Sequence, residues 1–129
     1  MRYVIIIALI LFGYLSGSVL YAELFTNIIC KKSLFEVSEN GNPGTANAFI
    51  YGNKVCGILA VIGDLLKGII PVMIYVKLFG ITSPAIAIIM SAPVIGHGCS
   101  CFYHMRGGMC IATSFGVFIG LLPIWEPLV

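Results

Sequence analysis

The chain has 129 residues, of which 60% are hydrophobic and only 9% charged, with seven Lys and Arg against five Asp and Glu for a net charge of +2. A mean hydropathy of +1.07 excludes an ordinary soluble domain, in which roughly a quarter of residues are charged. The small net charge, with no basic run longer than Lys31-Lys32, excludes a phosphate-tracking nucleic-acid surface. The composition predicts an all-α integral membrane protein, a single transmembrane domain over residues 1–129.

Four apolar segments follow in chain order: Tyr3 to Ile29, Val55 to Phe79, Pro84 to about Gly96, and Gly108 to Trp125. A bilayer core of ~30 Å needs about 20 helical residues. The third segment is short of that, and a full crossing is expected if Phe79, Ile81 and Cys99 to Tyr103 extend it. The first segment begins like a signal peptide, with Arg2 before an apolar run. It runs too long and lacks an Ala-x-Ala site, so a retained helix is expected. Gly13, Ser16, Gly17 and Ser18 give that helix a small-residue strip for close packing. Pro71, Pro84 and Pro93 are expected to kink or start helices.

Within the second segment, Asp64 and Lys67 lie three residues apart and so share a helix face. Pairing lowers the cost of placing either in a low-dielectric region. Two readings stay open: an ion pair that joins helices, or a Lys67 ammonium offered to a phosphate.

Two polar, glycine-rich loops separate the segments. The first, Ser38 to Asn47, carries Asn40-Gly41-Asn42-Pro43-Gly44 and closes on Asn47. The second, Gly96 to Gly108, holds both histidines, His97 and His104, with Arg106 and the Gly107-Gly108 pair. Backbone amides and carboxamides gathered at a membrane edge suit a small anionic molecule, and a cation next to glycine amides at a helix start can hold a phosphate. His97 reads as a general base, as an orienting group, or as a hydrogen-bonded histidine linking two helices. Lys31, Lys32, Lys54 and Arg106 outweigh Arg2 and Lys77, so both loops are expected on the cytoplasmic side.

A different chemistry is offered by His97-x-Cys99-x-Cys101-x-x-His104, two imidazoles and two thiols that suit zinc or copper(I), although the spacing is not that of a finger. The five cysteines otherwise read as reduced, small apolar residues.

Taken in order, Gly17-Ser18, then Gly41-Asn42-Pro43-Gly44 closing on Asn47, then Asp64-Leu65-Leu66-Lys67-Gly68, then Gly96-His97, then Arg106-Gly107-Gly108 leading to Ala112-Thr113 resemble the bacterial acylphosphate:glycerol-3-phosphate acyltransferases of the PlsY type. The resemblance spans nearly the whole chain. It implies a multi-span plasma (inner) membrane enzyme that moves a fatty acyl group from acyl phosphate to glycerol 3-phosphate, making lysophosphatidic acid at the cytoplasmic face. No cofactor is implied, because acyl phosphate is already activated. The resemblance suggests His97 as the catalytic residue. Ser18, Asn40, Gly41, Asn42, Gly44, Asn47, Lys67, Arg106, Gly107 and Gly108 are its substrate-binding candidates.

The chain departs from the family pattern at several positions. Glu36 and Ile50 stand where arginines are usual, Asn40 replaces a serine, Thr45-Ala46 reverse an Ala-Thr pair, and Cys99-Ser100 replace Phe-Pro. Arg106 replaces a lysine, and Met109-Cys110 replace Lys-Gly. The family's chain continues for further helices, and self-association would close the gap that missing helices leave. A non-catalytic subunit of the same fold is therefore the alternative reading, and a His/Cys metal-binding membrane protein a further one.

Overall fold

The computed structural model describes residues 1–122, so the end of the fourth expected segment, including Trp125, lies outside the described residues. Seven helices are described: α1 (Arg2–Ser18), α2 (Tyr21–Cys30), the short turns α3 (Leu34–Val37) and α4 (Thr45–Asn47), then α5 (Lys54–Phe79), α6 (Ile86–Gly98) and α7 (Ile111–Gly120). A π-helical turn, Ala48–Gly52, leads from α4 toward α5. No strand occurs among the described residues, only an isolated bridge between Ser100 and Arg106.

The first apolar segment is not one continuous helix. Val19 and Leu20 adopt extended backbone, with φ/ψ of −72°/111° and −90°/91°, and break it into α1 and α2. A break of this kind releases carbonyls at the end of α1 that no intrahelical donor reaches. Both released groups find partners: the Ser18 carbonyl accepts from Ser100 Oγ and the Val19 carbonyl from Lys67 Nζ.

Together α1 and α2 span 29 residues, and α5 spans 26; both are long and apolar enough to cross a membrane. At 13 residues, α6 rises only ~20 Å. The expected extension through Cys99 to Tyr103 does not occur, because that stretch turns back on itself. Met105 and Arg106 amides donate to the Ser100 and Tyr103 carbonyls, and hydrogen bonds spent on a turn are not available to a helix. Phe79 instead ends α5, and Ile81 sits in the turn before α6.

Glycines set the helix spacing. Gly13 and Gly17 in α1 face Ala92 and Pro93 of α6, and Gly96 of α6 faces the Tyr14 backbone. A side chain at Gly17 or Gly96 would overlap the opposing backbone, so α1 and α6 approach as closely as small-residue interfaces allow. Gly68 and Gly116 join α5 to α7 in the same way. Leu9, Val72, Tyr75, Ile89 and Val117 form the core between these pairs.

The chain gathers its polar loops at one end. Phe35 of the first loop region and Tyr103 of the second have ring centroids 5.7 Å apart. At the other end Arg2 lies over the Phe79 ring and donates to Ser83 Oγ, placing the N-terminus beside the turn between α5 and α6.

A candidate active site beneath two polar loops

Asparagines give the first loop its shape. Asn40 Oδ1 accepts from the Asn42 amide at 3.1 Å and from Asn47 Nδ2 at 2.8 Å, while Asn47 Nδ2 also donates to the Asn42 carbonyl at 2.8 Å. A short side-chain acceptor two residues before an amide closes an Asx turn. Gly41, at φ 63°, takes the left-handed conformation that the turn requires. Gly44 then caps α4, and its closest neighbour is the Asn42 carboxamide.

The second loop is tied to the helices by backbone. The Gly108 amide donates to the His97 carbonyl at 3.1 Å, and a side chain on Gly107 would overlap the His97 and Gly98 carbonyls. Only glycine fits that approach. The amide of Cys101 donates to the buried Ser18 Oγ at 3.5 Å, so Ser18 clips this loop to the broken end of α1.

Between the loops lies a cavity of about 440 Å³. Its lining combines polar groups of Asn42, Thr45, Asp64 and His97 and the Gly44 backbone with apolar side chains of Val61, Leu65, Phe115 and Ile119. His97 is buried, with Nδ1 2.8 Å from Lys67 Nζ, 3.3 Å from Thr113 Oγ1 and 3.7 Å from Asp64 Oδ1. Asn42 Oδ1 is buried and has no hydrogen-bond partner among the described residues. Such an orphaned acceptor at a cavity is a group awaiting a donor.

Asp64 and Lys67 form the expected ion pair, with Oδ1 and Nζ 2.8 Å apart and both side chains buried. Lys67 Nζ also donates to the Val19 carbonyl at 2.7 Å, and the Tyr21 ring lies 5.5 Å away. Its charge is directed inward, to groups of the protein.

The candidate residues therefore divide. Asn42, Gly44 and His97 line the cavity and Gly108 abuts the His97 ring, while Asn40, Gly41 and Asn47 shape the loop behind it and Gly107 packs on α6. Lys67 and Ser18 are buried tethers. Arg106 lies elsewhere, its guanidinium 4.3 Å from the centre of the Phe35 ring, in a smaller hollow of about 300 Å³ with Glu23, Glu36, Tyr103 and His104. Burial, together with the Glu23 carboxylate, pushes the Tyr103 phenol up from its ordinary range. Among the described residues no lysine or arginine lines the larger cavity, and Met109 occupies its wall. Sequence reasoning did not name Thr113 as a neighbour of His97; the signal for it was the Ala112-Thr113 pair that ends the motif order.

The residues of the metal reading are not gathered. His97 is buried between α5 and α7, whereas Cys99, Cys101 and His104 are exposed, and among the described residues no three His, Cys, Asp or Glu side chains stand together to hold a metal ion.

Comparison with known proteins places this arrangement. The family of glycerol-3-phosphate acyltransferases matches residues 7–129. A glycerol-3-phosphate acyltransferase of Syntrophotalea carbinolica is 31% identical over 90% of this chain and 59% of its own length, and one of Legionella pneumophila is 39% identical over 88% of this chain and 40% of its own. Crystal structures of PlsY (YgiH), an integral membrane glycerol 3-phosphate acyltransferase, match at 32% identity over 95% of this chain and 60% of theirs. The TM-scores are 0.84 for the glycerol 3-phosphate form and 0.81 for the lysophosphatidic acid form. The chain belongs to the glycerol-3-phosphate acyltransferase family and is an integral membrane protein. It spans between two fifths and three fifths of the length of these relatives.

Proposed function

We propose that this chain is a membrane acyltransferase that moves a fatty acyl group from acyl phosphate to glycerol 3-phosphate, yielding lysophosphatidic acid and inorganic phosphate. The observation that carries the reading is the two-toned cavity. Its lining offers His97, the unpartnered Asn42 Oδ1 and loop backbone together with apolar side chains of α5 and α7. A phosphorylated head and an acyl tail need such neighbouring environments.

Because acyl phosphate is already activated, positioning of the two reactants and stabilisation of the developing oxyanion supply most of the acceleration. The glycerol hydroxyl oxygen forms the new bond to the acyl carbon, the bond from that carbon to the phosphate oxygen breaks, and the hydroxyl proton is released. His97 is the residue assigned to the reacting groups. Asn42 and Gly44 stand in the wall of the site and Gly108 abuts the His97 ring, while Asn40, Gly41 and Asn47 shape the loop behind it and Gly107 packs on α6.

Residues 1–129 act as one transmembrane unit with about four spans, and both loops face the cytoplasm at the inner (plasma) membrane. Lys31, Lys32, Lys54 and Arg106 lie toward the loop end, and Arg2 and Lys77 toward the other, in keeping with the positive-inside rule. Single cysteines placed between positions 31 and 54 should resist labelling from outside intact cells.

The direct test is transfer from acyl phosphate to glycerol 3-phosphate by purified protein. A second reading, a non-catalytic member of the fold, is favoured by the lack of lysine and arginine along the described cavity wall. Absence of transfer from well-folded protein selects it. Met109→Lys would then place a cation on that wall and is expected to raise phosphate affinity by about tenfold.

A further inference from the structure

Lys67 carries three N–H donors and no acceptor. The ammonium hydrogen-bonds the Val19 carbonyl at 2.7 Å and His97 Nδ1 at 2.8 Å, and Asp64 Oδ1 lies 2.8 Å away as its ion-pair partner. A neutral imidazole has one donor and one acceptor nitrogen, and the hydrogen bond made by one fixes the role of the other. Beside an ammonium, Nδ1 is the acceptor. The ring proton therefore sits on Nε2, at the far side of the ring from Lys67. That side faces the second loop, for a Cβ added at Gly108 would stand 2.5 Å from Nε2 and 3.2 Å from Asn42 Oδ1.

We propose that Lys67 and Asp64 are positioning residues that lock His97 in the tautomer protonated at Nε2, so that His97 gives the cavity a hydrogen-bond donor for a carbonyl or phosphoryl oxygen rather than a general base. The donor role rests on the acyl-transfer reading above; the tautomer does not. Each partner has a part. Asp64 neutralises the ammonium where burial would otherwise make it costly, the break at Val19 supplies a carbonyl that a continuous helix would have used, and Lys67 fills the acceptor nitrogen. Thr113 Oγ1, 3.3 Å from that nitrogen, flanks the ring from α7. A base would need a free lone pair directed at the glycerol hydroxyl, and this geometry gives the only lone pair of the ring to Lys67.

The test has two arms, both on the full chain in lipid nanodiscs. Nitrogen NMR of isotope-labelled histidine, with His97→Gln used for assignment, should find the His97 proton on Nε2 in the wild type and in Lys67→Arg. In Lys67→Met a population protonated at Nδ1 should appear. A wild-type proton on Nδ1, or a tautomer unchanged in a folded Lys67→Met, overturns the proposal; where Lys67→Met does not fold, the wild-type signal decides.

In the kinetic arm, His97→Gln keeps an N–H donor near the Nε2 position and cannot act as a base. It should retain about tenfold more turnover than His97→Ala, which loses the donor at a cost of about a hundredfold. Equal loss in the two variants, with an acidic limb in the wild-type pH profile that both abolish, identifies a base and refutes the donor role. No turnover in the wild type counts against the acyl-transfer reading and the donor role with it, and leaves the tautomer to be decided by NMR alone.

Discussion

His97 and Arg106 come from the same glycine-rich stretch, nine residues apart, yet they end in opposite settings. His97 ends α6 and is buried among Asp64, Lys67 and Thr113, each contributed by a neighbouring helix. Arg106 follows the turn, is exposed, and rests on the face of Phe35. The contrast shows that two basic side chains from one polar loop need not share a task. The buried cation, Lys67, orients a ring inside the bundle, and the exposed one holds two loops against each other through an aromatic face.

The sharpest way to break this contrast is to remove the buried cation. Lys67→Met leaves the Asp64 carboxylate buried without its partner and frees the Val19 carbonyl, and is expected to cost about 3–5 kcal/mol of stability. Thermal unfolding in detergent measures it, and the double variant Asp64→Leu with Lys67→Met should recover much of the loss. A next test leaves the charges in place. Gly108→Ala puts a methyl group against His97 Nε2 and is expected to reduce acyl transfer about a hundredfold, while the unfolding temperature falls by only a few degrees.

A smaller effect is expected behind the cavity. Asn47→Ala removes two hydrogen bonds to the Asn40 and Asn42 turn, worth about 1–3 kcal/mol together. Its signature should be faster proteolysis between positions 38 and 47 and a higher KM. The smallest belongs to the exposed side of the comparison. Arg106→Ala should change turnover within about a factor of two, and a much larger loss would show that the hollow by Phe35 belongs to the reaction.

The class of the chain and the pieces of its site were legible in sequence because both rest on local chemistry. Sparse charge and long apolar runs identify helices for a membrane, three-residue spacing pairs Asp64 with Lys67, and glycines among asparagines mark the polar loops. The break at Val19 was not read from the sequence, since Ser16, Gly17 and Ser18 read equally as a small-residue strip for close helix packing. Nor was the short α6, because Cys99 to Tyr103 is apolar enough to continue a helix and only its hydrogen bonds to the returning chain prevent that.

By itself the sequence determined an all-helical membrane protein, two polar loops, the Asp64–Lys67 pair and the motif order shared with its family. Tertiary structure alone decided that the loops share one cavity, that Lys67 is spent inside the bundle on His97 and a freed carbonyl, and that Arg106 stands apart from both. The physical reason is that hydrogen-bond supply and charge burial are settled between elements. Groups released by a break in one helix are satisfied by side chains some fifty to eighty residues away, 48 for Val19 with Lys67 and 82 for Ser18 with Ser100, and no local pattern records those partners.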